Sequence, residues 1–336
     1  MRNKLVDNMR RPLVSIIVPF YNAQKTLEKC VVSLLNLNFE SERYEIILVN
    51  DCSTDDSVAM ANRFAALHPN INMINLNERS GVNAARNRGI LSAKGEVIAL
   101  TDSDCVVDAQ WLKALVNRFD EADVGGVHGK TLPSGSSKSI LFRVDAPVST
   151  GGFFHETCNI AYKKDVLVSI GLFDRRFSSP PWLYHRGDSD IAFSVEEKGL
   201  RILYEPEAKV YHPVKKIGLW RLGKKYRFDA LLYKKHPKRA RGLLGVKIGF
   251  LTSNSLSLFA STASIIFMLY SLLVGDMLLQ ILGFGAIAAE GLVVYLLFYR
   301  DRGWRGFVGP IILYLYLVSS QLNRLYGSLK YRKLVF

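Results

Sequence analysis

The chain has 336 residues, 49% of them hydrophobic and 22% charged, with a formal net charge of +14. That is enough apolar material for one large or two ordinary domains with real cores, which excludes a coreless chain. Its four cysteines, Cys30, Cys52, Cys105 and Cys158, form no C-x-x-C pair and so argue against a zinc site or a disulfide framework.

In chain order, "MRNKLVDNMRRPLV" has basic residues but no apolar h-region, so it does not read as a secretory signal and the first domain is expected in the cytosol. Strand-like runs then alternate with helical patterns. "LVSIIVPF" leads to a helix through "TLEKCVVSLLNL", and "YEIILVN" to a helix from about Asp55 to Leu67. "INMINL" precedes a helix through "VNAARNRGILSA", and "EVIALT" a helix starting near Asp108 with "AQWLKALVNRF". This alternation specifies an α/β domain with a mostly parallel sheet covered by helices. Ligands of such sheets bind at the carboxyl ends of the strands, which directs attention to the polar residues just past each run.

Beyond Gly125 the periodicity weakens, and "GKTLPSGSSKS" reads as a loop. Shorter elements come next: "CNIAYKKDVLVSIG", a helix opening with "DSDIAFSVEEKG", and a strand pair around "LRILYEPEAKVYH".

Three of the polar stretches carry chemistry. Asp102 and Asp104 sit one residue apart just past an apolar strand; two carboxylates there make a hard oxygen site for Mg²⁺ or Mn²⁺, whose charge cancels their repulsion. In "VNDCSTDD", Ser53, Thr54 or Asp55 caps the next helix, leaving Asn50 and Asp51 to face the cleft, where a carboxylate accepts the imide N–H of a uracil ring. In "ERSGVNAARNRG", Arg86 offers a forked, permanently charged donor set to a base or a diphosphate, while Arg88 reads as solvated.

The stretches "SIIVPFYNAQKTL", "EIILVNDCSTDDS", "GVNAARNRGILSAKGEVIALTDSDC" and "NIAYKKDVLVSIGLFDRRF", with "GDSDIAF" beyond, occur in the order found in the family 2 glycosyltransferases, which the chain resembles from Leu13 to His212. The resemblance implies a GT-A fold, a nucleotide-sugar donor, a divalent cation, Mn²⁺ or Mg²⁺, at the D-x-D, and inversion at the anomeric carbon. Matched residue by residue, it implies that Pro19 and Tyr21 wall the base site and that Asp51 contacts uracil. It makes Arg86 the arginine of the A-R-N motif, and Asp102 and Asp104 the nucleotide-and-metal pair.

The chain departs from the family pattern in two places. It has Asn50-Asp51-Cys52 where many members read D-D-G, and Gly187 where many carry glutamate before the second aspartate motif. Asp188, with Asp190 as its rival, is the expected base for the attacking hydroxyl. A histidine placed like His212 is often near the metal or diphosphate in similar enzymes. Trp182 is expected on the acceptor side, stacked on a sugar.

The charge is uneven. Met1–His212 carries 25 basic and 26 acidic side chains, whereas Pro213–Lys247 carries 12 basic and one acidic, Asp229. Such a block suits an anionic partner, and the apolar stretches beyond it select a membrane over nucleic acid. Residues 248–275 carry no charge, 277–299 only Glu290, and 306–323 none, so three apolar segments succeed the block. The expected organisation is a GT-A domain over 1–212, a basic juxtamembrane segment over 213–247 mixing Trp220, Tyr226, Phe228 and Tyr233 with lysine and arginine, and a membrane region over 248–336. Its helices are placed at about 250–274, 277–299 and 306–323.

Three spans would leave Arg324, Lys330, Arg332 and Lys333 outside, against the positive-inside tendency, unless the third segment, broken by Pro310, is re-entrant or interfacial; the apolarity of the segment favours three helices. Glu290, within the second segment, is either functional or neutralised there. The expected protein is a multi-pass membrane glycosyltransferase with its catalytic domain in the cytosol, moving a sugar from a UDP-sugar to a hydroxyl of a lipid-linked glycan. The alternatives are a synthase charging a polyprenyl phosphate directly and a non-catalytic membrane scaffold.

Overall fold

In a computed structural model, the described residues are 14–135, 155–180, 183–214, 224–244, 263–298 apart from 265 and 269, 319, and 322–333. The chain divides into two compact units, with the boundary between Lys215 and Lys216.

The first unit is built on an eight-stranded mixed sheet. β1 (Val14–Phe20), β2 (Tyr44–Asn50), β3 (Ile71–Asn75) and β4 (Val97–Leu100) are mutually parallel and lie in the order β3-β2-β1-β4. The sheet continues through β7 (Ile160–Lys163), β6 (Val124–Ser134) and β8 (Arg201–Pro213) to β5 (Val106–Val107). β7 runs antiparallel to β4 and β6, and β5 antiparallel to β8, so only half of the sheet is the parallel array that the sequence suggests.

Alternation along the central strands explains why helices cover both faces. Val14, Ile16, Val18 and Phe20 of β1 enter one core with Ile46 and Leu48 of β2, whereas Ile17, Ile47 and Val49 enter the other. The first core is closed by α1 (Leu27–Leu35), which buries Leu27, Cys30, Val31 and Leu34 at helical spacing, and by α2 (Ser57–Leu67). The second is closed by α3 (Val82–Ser92), where a Cβ on Gly89 would sit 2.6 Å from the Ile17 side chain; the glycine lets this helix lie directly on the sheet. α4 (Trp111–Val116), α5 (Lys164–Ser169) and α6 (Gly187–Glu197) complete the unit.

Two local readings are corrected. Gly129–Ser134, read as loop from its composition, is the second half of β6, because β8 supplies its pairing through Lys130 with Lys209, Thr131 with Val210 and Leu132 with Tyr211. The expected strand pair is one long strand, β8, that pairs with β6 on one side and β5 on the other.

In the second unit the basic segment is not one amphipathic helix. A short 3₁₀ turn at Tyr226–Phe228 leads into α7 (Asp229–Lys235), and a new helix, α8 (Pro237–Leu244), opens at Pro237. Phe228, Leu231 and Leu232 are fully buried. The expected first and third membrane segments fall largely outside the described residues, as does Trp220.

The expected second segment forms α9 (Met277–Phe298), whose continuous run of described side chains extends only from Met277 to Ala286, so Glu290 also lies outside them. Among the described residues no helix is long and apolar enough to cross a membrane.

Candidate active site

The carboxyl ends of β1, β2 and β4 gather the polar residues of the site. Pro19, near the end of β1, is buried, and just past the strand Tyr21 is covered by the Arg79 guanidinium, 3.5 Å from its ring centroid. Asn22, at φ 49°, exchanges hydrogen bonds with the next loop: its side-chain oxygen accepts from Thr54 N–H at 2.8 Å, and its own N–H donates to Ser53 Oγ at 3.0 Å. The loops after β1 and β2 are thereby locked into one wall.

Past β2, Asp51 is nearly buried and its carboxylate accepts the backbone N–H of Ser80 at 2.7 Å and of Gly81 at 3.2 and 3.0 Å. Burial raises its pKa, while those N–H groups and Arg79 oppose the rise. Gly81 has φ 90°, a conformation suited to glycine, and it opens α3. Asp51 therefore fixes the start of the helix that carries Arg86. Asn50, expected free in the cleft, is engaged at both ends, donating to Asn75 at 2.9 Å and accepting from Ser53 N–H at 2.8 Å. Of the three expected caps of α2, Asp55 accepts the Ser57 N–H at 3.1 Å.

Past β4, Arg86 is buried on α3 and donates from Nη2 to Asp102 Oδ1 at 2.9 Å. Its Nε is also buried and has no hydrogen-bond partner among the described residues. One charge of the D-x-D is thus compensated by the chain itself. Arg86→Ala should leave Asp102 facing Asp104 without that compensation, and an unpaired carboxylate in so enclosed a place costs about 1–3 kcal/mol or more. The expected result is at least about a tenfold weaker UDP affinity measured with Mn²⁺ present, equivalent to 1.4 kcal/mol.

Asp104 faces His212 at the end of β8, with Oδ1 and Nε2 3.8 Å apart, and Cys105 Sγ completes a group whose ligand atoms lie within 4.8 Å of one another. His212 Nδ1 lies 2.9 Å from the Pro213 carbonyl, an acceptor, so Nδ1 carries the proton and Nε2 turns its lone pair toward Asp104. That is the tautomer a metal-binding histidine needs, with its second nitrogen anchored on a carbonyl. Cys105 also hydrogen-bonds with Cys158, which favours its thiolate, but burial and the two carboxylates outweigh this and raise its pKa. The donor set that fits a hard divalent cation is therefore Asp104 with His212, beside Asp102.

On α6, Asp188 is half-buried in the first turn and accepts the N–H of Ser189 at 2.8 Å, while Asp190 is buried. The glycine in place of glutamate has a structural reason: a Cβ on Gly187 would lie 2.8 Å from Asn83 Nδ2, which donates to the Asp174 carbonyl at 3.0 Å. Trp182 falls outside the described residues.

Three groups have no counterpart in the sequence reading. Asn159 accepts from Trp111 Nε1 at 2.8 Å and donates to the Ala208 carbonyl at 3.0 Å, tying α4 to β8. Its place in "CNIAYKK" was the available signal. Arg79 had none, because stacking on Tyr21 is a tertiary contact.

The third is a pair of buried histidines, His128 and His155, packed edge to face with centroids 4.7 Å apart, with Tyr204 beyond at 5.0 Å. Burial, with His155 adding to it, depresses the His128 pKa to about 4, and burial lowers that of His155 against the attraction of Asp188. A histidine titrating lower in the folded state stabilises the fold fully above its unfolded pKa of about 6.5 and loses that contribution as pH falls toward 4. The loss amounts to about 3 kcal/mol, so His128→Gln should flatten the fall in thermal midpoint between pH 6.5 and 4.

Residues 15–173 match the model of the family described as Glycosyl transferase family 2. Among curated relatives, Glycosyltransferase AglE of Haloferax volcanii is 26% identical over 216 residues, covering 62% of this chain and 69% of that protein. Glycosyltransferase GlyG of Streptococcus pneumoniae is 35% identical over 117 residues, covering 35% of this chain but only 38% of GlyG. Among solved structures, mannosyltransferase PcManGT from Pyrobaculum calidifontis, in complex with GDP-Man and Mn²⁺, is similar in fold, with TM-score 0.64 and 19% identity over 94% of this chain and 88% of that one.

Proposed function

We propose that this glycosyltransferase, whose residues 15–173 match the family model described as Glycosyl transferase family 2, transfers a sugar with inversion from a nucleotide-sugar, a UDP-sugar by preference, to a hydroxyl of a lipid-linked glycan at the cytosolic face of a membrane. The observation that carries the reaction is the convergence of Asp104 and His212, with the His212 tautomer set by Pro213, beside an Asp102 already held by Arg86. These residues suit Mn²⁺ or Mg²⁺, and PcManGT is a neighbour in fold whose structure holds Mn²⁺ with a nucleotide-sugar.

Each residue has a separate task. Tyr21 and Pro19 wall the base, and Asp51, which has lone pairs to spare beyond those its backbone bonds use, meets the ring N–H. Asp102 and Arg86 meet the ribose and diphosphate. Asp104 and His212 would hold the divalent cation, which when bound neutralises the developing charge of the leaving diphosphate. Asp188 takes the proton from the acceptor hydroxyl; Asp190, buried at 1% exposure, is less accessible to a substrate.

Anchoring rests on the 12 basic residues of Pro213–Lys247 and on the exposure of Leu273, Met277, Leu278, Ile281, Leu282 and Phe284 in the second unit. An enzyme held this way meets lipid-linked acceptors. The test is a donor screen on membranes from cells making the protein, with UDP- and GDP-sugars and Mn²⁺ or Mg²⁺, reading UDP or GDP release with and without added lipid extract. Cation-dependent release that rises with the extract supports the reading. If no nucleotide-sugar is consumed under any condition, the reading is wrong.

A further inference from the structure

We infer that α7 and the helix over 322–331, which flank the apolar region, lie on the same face of the membrane, so that the chain crosses it an even number of times. The inference rests on the membrane anchoring proposed above and corrects the preference for three crossings.

Asp229, within the basic segment at the start of α7, is a fully buried carboxylate. It accepts a hydrogen bond from Arg324 Nε at 3.0 Å, and the arginine is itself mostly buried, with 14% of its side chain exposed. Arg324 belongs to the helix over 322–331, which comes after the last apolar segment. Ionised groups are hidden from water only when paired, and removing one partner leaves an uncompensated buried charge. Arg324 supplies a counter-charge to this buried carboxylate.

The pair is not isolated. The Arg324 guanidinium also lies 4.9 Å from the centroid of the Tyr226 ring. Gly327 is buried, and a Cβ there would collide with the Arg227 carbonyl, so the two backbones touch without a side chain between them. Lys333 Nζ lies 5.5 Å from the Tyr233 ring centroid. Together these contacts place residues 226–233 beside residues 324–333.

A hydrocarbon core about 30 Å thick cannot separate residues in such contact. Whichever face holds the basic segment also holds Arg324, Lys330, Arg332 and Lys333. That removes the conflict with the positive-inside tendency, because both basic clusters then lie on one side. Of the three apolar segments one must fail to cross, and 306–323 is the shortest and is interrupted by Pro310.

The test compares two exposed positions, using the full chain in sealed right-side-out and inverted membrane vesicles. Lys238→Cys reports on α8 and Lys330→Cys on the last helix, each treated with a membrane-impermeant maleimide and read against the unsubstituted chain. Labelling of both from the same side only is expected. Labelling from opposite sides overturns the inference while leaving anchoring intact. Release of the protein from the vesicles by carbonate overturns the anchoring and the inference together, and is read separately by sedimentation. Docking itself is tested with Gly327→Val: loss of the backbone contact should speed trypsin cleavage at Arg324 and Lys330 by about tenfold in vesicles exposing that face, and an unchanged rate counts against the docking.

Discussion

Asp104→Ala is expected to lower sugar transfer by about a thousandfold or more while leaving the thermal midpoint within a few degrees of the parent. The side chain is largely enclosed, its Oδ1 lying 3.8 Å from His212 Nε2, and its removal deletes the carboxylate that makes the pair a cation site. Two neighbouring contacts do not involve it: His212 keeps its Pro213 partner at 2.9 Å and Asp102 keeps Arg86 at 2.9 Å. UDP affinity titrated with and without Mn²⁺ checks the cause, because the variant should bind UDP equally weakly in both conditions. Mn²⁺-stimulated turnover within tenfold of the parent would remove Asp104 from the metal site. His212→Ala should act in the same direction with a smaller loss, about 10–100-fold in cation affinity, as one ligand is lost and the carboxylate remains.

The second large effect is expected at Asp188. Asparagine has nearly the same shape, and its oxygen can still accept the Ser189 N–H that Asp188 accepts at 2.8 Å, so Asp188→Asn should keep the first turn of α6. What it loses is the capacity to take a proton. Transfer to a hydroxyl should fall by about 10²–10⁴-fold, with nucleotide affinity unchanged. The measurement is single-turnover transfer alongside a UDP titration. The same variant separates the two acceptor chemistries, because a lipid phosphate is already ionised and needs no base. Parental rates in Asp188→Asn would therefore replace the hydroxyl acceptor by a polyprenyl phosphate, whereas equal loss in Asp190→Asn with none in Asp188→Asn would exchange the two aspartates.

Much of the site was legible because it lies where parallel strands end. β1, β2 and β4 are largely apolar runs, interrupted by Ser15 in β1 and by Glu45 and Asn50 in β2, and Tyr21, Asp51 and Asp102 follow directly on their carboxyl ends. Legibility stopped where a residue's role depends on a distant partner. Asn50 sits in the same position as Asp51 but is consumed by Asn75 and Ser53, and Gly187 looked like a lost glutamate until Asn83 was found beside it. β6 was missed in part because Gly129, Pro133 and Ser134 have poor strand propensity; pairing with β8 along its length overrides composition.

By itself the sequence determined the α/β alternation, the paired carboxylates of the D-x-D, and the concentration of charge in Pro213–Lys247, because these are local: hydrophobic period, neighbouring carboxylates and charge count need no partner. Only the tertiary structure decided that Arg86 neutralises Asp102, that Pro213 sets the tautomer of His212, and that Asp229 is paired by Arg324, 95 residues away. The two ion pairs join groups 16 and 95 residues apart inside a poorly solvated interior. There the cost of an unpaired charge selects one partner among many, and a linear sequence does not state which groups will be brought within 3 Å.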